Sequence, residues 1–132
     1  QDSWFKLIDL YQGNPTHLKD IASLIRDIFD GNVTEFLNED TLILTKDMQY
    51  NFNLLFNRLS TIEQKIVIKL SKFSQPVTRE ELKESLDLSS IDFINGLQSL
   101  QKRYLVKKTK DKTILFILDP LFKEYVISVN CY

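Results

Sequence analysis

The 132-residue chain is poor in the residue types that small domains use for chemistry or for covalent bracing. It has one cysteine, one histidine, one tryptophan, one methionine, three glycines and three prolines. A single cysteine, Cys131, excludes an internal disulfide and points to a reducing, cytoplasmic compartment. Cys131 and His17 cannot build a protein-only zinc site, so no metal is expected. Gly13, Gly31 and Gly96 each stand alone, and no G-x-x-x-x-G-K-[ST] loop is present to cradle a phosphate. The longest apolar run is "ILFIL", 114–118, far below the roughly 20 residues of a spanning helix. No signal-peptide pattern opens the chain. The first residue is Gln1 rather than Met, as expected of a piece of a longer protein.

What remains is enough for a folded core. Hydrophobic residues make up 43% and charged residues 27% of the chain, and nine Phe, five Tyr and one Trp supply large buried area. The net charge is only −1 but unevenly spread. Residues 1–59 hold five Lys/Arg against nine Asp/Glu, and residues 60–132 hold twelve against nine. That asymmetry predicts two units with different surroundings.

The periodicity is helical almost throughout. Trp4, Leu7, Ile8 and Tyr11 share helical spacing. Gly13 can end that helix, Asn14 is a favoured N-cap, and Pro15 suits the first helical position. Leu18, Ile21, Ala22, Ile25, Ile28 and Phe29 form the next apolar stripe, which "DGN", 30–32, stops. "VTEFL" predicts a short helical turn. Three helices over about 40 residues bury too little surface to fold alone. "NEDTLILTK", 38–46, reads as a junction.

A helix from Lys46 to Leu59 carries Met48, Phe52, Leu55, Phe56 and Leu59. Ser60 with Glu63, and Thr78 with Glu81, are capping boxes that open two further helices. Their apolar residues are Ile62, Ile66, Leu70 and Phe73, then Leu82 and Leu86. Ser89 or Ser90 caps a third helix, with Ile94, Leu97 and Leu100 facing inward. "LVKK", the polar turn "TKDK" and "TILFIL" predict a β-hairpin. Asp119-Pro120 opens a last helix through Tyr125 and Val129. The expected fold is mainly α with a small β-hairpin. A short helical subdomain, 1–40, precedes a winged-helix (helix-turn-helix) domain, 41–132. There are no internal repeats and no low-complexity tracts.

Enzymatic machinery is not legible. His17 has no serine in a strand–turn–helix elbow to serve, and it reads as a solvated first-turn residue. Carboxylates are spread over helix surfaces rather than paired in apolar settings. The helix that would enter a DNA major groove leads with Ser90, Ile91, Asp92, Asn95 and Gln98. None is basic, and Asp92 repels phosphate. Basic residues cluster later, at Lys102, Arg103, Lys107, Lys108, Lys110 and Lys112. They could touch phosphates, or they could guard an edge strand. Gly96, costly in a helix by about 1 kcal/mol, is expected to serve close helix packing.

Three runs carry a family resemblance: "YQGNPTHLKDIASLIRDIFDGN", 11–32; "LLFNRLSTIEQ", 54–64; and "LQSLQKRYLVKK", 97–108. With "DPLFKEYV", 119–126, they resemble the distal half of the NB-ARC nucleotide switch of STAND-class signalling ATPases. The wording is closest to cyanobacterial, WD-repeat-associated members. The resemblance implies a regulatory segment in signal transduction, non-catalytic by itself. ADP or ATP would be shared with an upstream nucleotide-binding domain, and a downstream repeat domain would sense the signal. Oligomerisation would belong to the parent protein. By the same resemblance Pro15 would lie against the adenine of ADP, with Gly13 and Asn14 shaping the G-x-P turn.

The alternative reading is that Pro15 only starts a helix, as its position alone would allow. The family's phosphate-sensing histidine, at the start of the last helix, is matched here by Asp119, which also reads as an N-cap. The isolated chain would then need no cofactor. Two other readings stay open: a DNA-binding winged-helix regulator, and a winged helix used only for protein contacts. The non-basic residues at 90–98 count against specific DNA binding.

Overall fold

The computed structural model describes residues 2–39, 42–110 and 112–130. Cys131, two residues of the expected junction (Asp40 and Thr41) and Asp111 of the hairpin turn lie outside them. The protein is mainly helical with one antiparallel two-stranded hairpin, a helical segment followed by a winged-helix-like fold. It divides into two compact units, Gln1–Asn51 and Phe52–Tyr132.

The first unit holds α1 (Asp2–Leu10), α2 (Pro15–Phe29) and α3 (Val33–Leu37), followed by the start of α4 (Lys46–Arg58). Its buried side chains include Leu7, Tyr11, Ile21, Ile25, Val33 and Phe36. Phe36 meets Phe29 edge-on at 5.6 Å and lies 6.5 Å from the Tyr11 ring. The Tyr11 hydroxyl donates to the Ile43 carbonyl at 2.7 Å, which satisfies the polar tip of a fully buried ring.

Two expectations about these stripes need correction. Trp4 and Ile8 are 50% and 41% exposed, because α1 buries only the narrower Leu7–Tyr11 ridge. Ile28 is also exposed. Phe36 draws Phe29 inward, and Ile28, one residue and about 100° round the helix, is turned outward.

The second unit begins within α4. It continues through α5 (Thr61–Ser71), α6 (Arg79–Glu84), α7 (Ser90–Lys102), β1 (Val106–Lys110), β2 (Ile114–Leu118) and α8 (Pro120–Val129). Helix α5 packs on both α7 and α8, and the hairpin packs against α5, α6 and α7. The core combines Ile66, Val67 and Leu70 with Leu82, Phe93, Leu97, Leu100, Phe116, Phe122 and Val126. Val106 faces Leu118 and Lys108 faces Phe116 across the hairpin, and Val77 adds a one-residue bridge to Phe116. Phe52 and Phe56 bring the end of α4 against Tyr125, whose hydroxyl donates to Asn53 Oδ1 at 2.7 Å.

Both expected capping boxes form. Ser60 pairs with Glu63 and Thr78 with Glu81, each reciprocally. Ile94 is a further correction: it is 50% exposed, and Phe93, fully buried, takes the inward position. Phe93, Leu97 and Leu100 are spaced i, i+4, i+7, the tighter fit to one helical face. Gly96 explains itself by packing. A Cβ there would lie 2.8 Å from Ile66 Cδ1 and 3.0 Å from Ile62 Cγ2, so its absence lets α5 and α7 approach.

Candidate functional site

The turn between α1 and α2 is built from two left-handed residues and a cap. The Tyr11 and Gly13 N–H groups reach back to the Leu7 and Ile8 carbonyls at 3.2 and 2.8 Å, closing the end of α1. Gln12 takes φ +59° and Gly13 φ +67°. Nothing lies within 4 Å of a Cβ built on Gly13, so conformation rather than space calls for glycine there. Asn14 then turns extended, and its Oδ1 accepts from the N–H groups of Thr16 and His17 at 3.0 and 3.2 Å.

Pro15 follows at the first helical position, with its ring exposed. The cap takes donors that α2 cannot satisfy itself, and Pro15 has no N–H to satisfy. The result is a proline face held rigidly at the surface. Gln12 and Gly13 of the turn, but not Pro15, line an open depression of about 680 Å³ together with Phe5, Lys6, Ile8 and Asp9. Phe5, 71% exposed, and Ile8 give it an apolar wall, while Lys6 and Asp9 bring one charge of each sign. His17 is half-buried, and its backbone N–H belongs to the cap.

Gly13, Asn14 and Pro15 are thus brought together as one turn. Asp119 lies in the second unit. Its Oδ2 accepts from the Phe122 N–H at 3.1 Å, capping α8, and its Oδ1 is 3.8 Å from Lys107 Nζ. Its own N–H donates to the Leu105 carbonyl at 2.7 Å. Both carboxylate oxygens are therefore engaged within the fold.

In the same unit the leading residues of α7, Ser90, Ile91, Asp92, Asn95 and Gln98, are all exposed. Lys102, Arg103, Lys107, Lys108 and Lys112 are exposed as well. Among the described residues no group of three His, Cys, Asp or Glu side chains could hold a metal ion, and no helix is long and apolar enough to cross a membrane.

A buried polar network around Glu63 has, beyond its cap, no signature in the local sequence. Glu63, 6% exposed, accepts from the Ser60 N–H at 2.9 Å and from the Ser99 hydroxyl at 2.7 Å, and lies 3.3 Å from Arg103 Nε. Burial pushes its pKa up. The hydrogen bonds from Ser60 and Ser99 and the Arg103 charge outweigh that and hold it below the usual carboxylate range. The cap half of this network was readable. Ser99 and Arg103 are 36 and 40 residues away, and no local signal links them to Glu63.

No family model matches the chain. It is similar to part of a WD repeat-containing protein. An uncharacterized protein of that description from Nostoc sp. is 36% identical over 129 residues, covering 95% of this chain and 10% of that protein. The chain therefore spans about a tenth of the relative it matches. A protein of the thermoacidophilic archaeon Sulfolobus tokodaii, solved by crystallography, is 21% identical with a TM-score of 0.47. That match covers 64% of this chain and 88% of the other.

Proposed function

We propose that this chain is the helical and winged-helix part of an NB-ARC-type nucleotide switch within a larger, WD-repeat-associated signalling protein of the cytoplasm. The observation that carries the reading is the turn at 12–15. An exposed proline ring, fixed by a side-chain cap and two left-handed residues, offers an apolar plate to a flat base at little entropic cost. The depression lined by Gly13, two residues before Pro15, leaves room for a planar group. The likeness of nearly the whole chain to a tenth of a much longer WD-repeat protein fits a piece of such a switch.

In this reading the phosphate loop and the hydrolytic residues sit on an upstream domain, and ADP bridges that domain and the Pro15 turn. This chain supplies no catalytic residue. Exchange of ADP for ATP would free the winged helix to move and the parent protein to oligomerise. Asp119 serves the fold as a cap, and the β-phosphate contact that a histidine makes in the family falls to another group.

A winged helix used for protein contacts is the second reading. The exposed Ile91 and Ile94 on α7 favour it over DNA binding, because a duplex would meet those two apolar residues and Asp92. Calorimetry with ADP on this chain and on the longer switch separates the readings. A proline face contributes about 1 kcal/mol of apolar contact, against about 4 kcal/mol or more for immobilising a ligand. Only the longer protein is expected to bind. Tight ADP binding by this chain alone, or none by the longer protein, would refute the proposal.

A further inference from the structure

The outer side of the wing carries an open backbone edge, a run of cations and a strained aromatic. Val77 and Phe116 exchange both backbone hydrogen bonds, at 3.1 and 2.7 Å. Facing pairs in an antiparallel ladder alternate between bonded and non-bonded. Lys108, opposite Phe116, therefore turns its N–H and C=O away from β2, and among the described residues no strand pairs on that side. Such an edge is a template for another strand.

Every charged residue from 102 to 110 is cationic: Lys102, Arg103, Lys107, Lys108 and Lys110. Arg103 and Lys107 are held by Glu63 and Asp119, and Arg79 pairs with Glu80 at 2.9 Å, while the exposed Lys108 side chain lines a groove of about 450 Å³ together with Arg79, Glu80, Gln101 and Ile114. Two residues before β1, Tyr104 stands at φ +62° with its side chain 81% exposed. It occupies the position after the α7 cap where glycine is the usual residue, and the Leu105 N–H closes that helix end on the Leu100 carbonyl at 3.1 Å. A bulky side chain in this backbone conformation is an outlier, and it makes no core contact that would explain it.

We propose that the outer edge of β1 is a docking site for an extended, acidic segment of a partner protein, which adds as a third strand with Tyr104 as its aromatic anchor. Charge selects the occupant. A second copy of this edge would set lysines against lysines, whereas alternate carboxylates on an added strand would meet them as ion pairs. A DNA duplex is the rival polyanion for this run of cations, and competition between the two decides the occupant.

The test uses the whole chain and a labelled synthetic peptide of about twelve residues alternating Glu with Thr or Val, long enough to span the five-residue strand. Fluorescence anisotropy should show binding that weakens about tenfold with Lys108→Glu or when alternate peptide amides are N-methylated. Amide exchange at Lys108 should slow about tenfold on binding. Tyr104→Gly should weaken the peptide severalfold while leaving the chain folded. The proposal fails if the N-methylated peptide binds as well as its parent, if a Lys-for-Glu peptide binds equally, or if a random-sequence duplex competes at equal charge concentration.

Discussion

At the scale of single residues, the backbone explains more than composition does. Tyr104 pays conformational strain that glycine would not. Tyr104→Gly is expected to stabilise the chain by about 1 kcal/mol, read as a higher urea midpoint with unchanged m-value. A lower midpoint would mean that the ring makes contacts in the folded state. Asn14 is the opposite case: its Oδ1 takes two backbone donors at the start of α2. Asn14→Ala should lose about 1 kcal/mol.

Glu63 adds a pH dependence. Its folded pKa is depressed, so its contribution is present above the unfolded value and is lost as pH falls through the folded one. Glu63→Gln should cost about 2 kcal/mol at pH 7. It should also flatten the loss of stability below about pH 4, which a denaturation series across pH 2–7 would show. An unchanged acid limb would place the acid sensitivity elsewhere.

At the scale of elements, local rules were readable and tertiary cover was not. Capping boxes at Ser60 and Thr78, the N-caps Asn14 and Asp119, and the hairpin all follow from side chains within a few residues of the backbone they serve. Burial depends on what another element covers. That is why Trp4, Ile8, Ile28 and Ile94, all in helical register with core residues, are exposed. The left-handed end of α1 was expected at Gly13, but it begins one residue earlier, at Gln12, a residue type that gives no warning of it.

Gly96 marks where two elements meet. Gly96→Leu should cost about 2 kcal/mol by forcing α5 and α7 apart over Ile62 and Ile66. A neutral effect on the thermal midpoint would show that this contact has slack.

At the scale of the whole molecule, the chain has two compact units, with α4 contributing residues to both. The order of helices and hairpin made the winged-helix-like fold legible, because each element has its own period and punctuation. The candidate site was legible only in part. "GNP" announces a capped turn, but the depression beside it comes from Phe5, Ile8 and Asp9 on α1, whose exposure no pattern reveals.

The central claim is that the Pro15 turn contacts the base of a nucleotide whose phosphates are held elsewhere. The most direct measurement is the ADP affinity of the longer switch protein by calorimetry, with Pro15 intact and as Pro15→Ala. The substitution should leave the fold intact, since alanine is accepted at a helix start, and should weaken ADP about fivefold, the loss of one apolar face worth about 1 kcal/mol. An unchanged affinity would contradict the account and leave Pro15 as the first residue of a helix and nothing more.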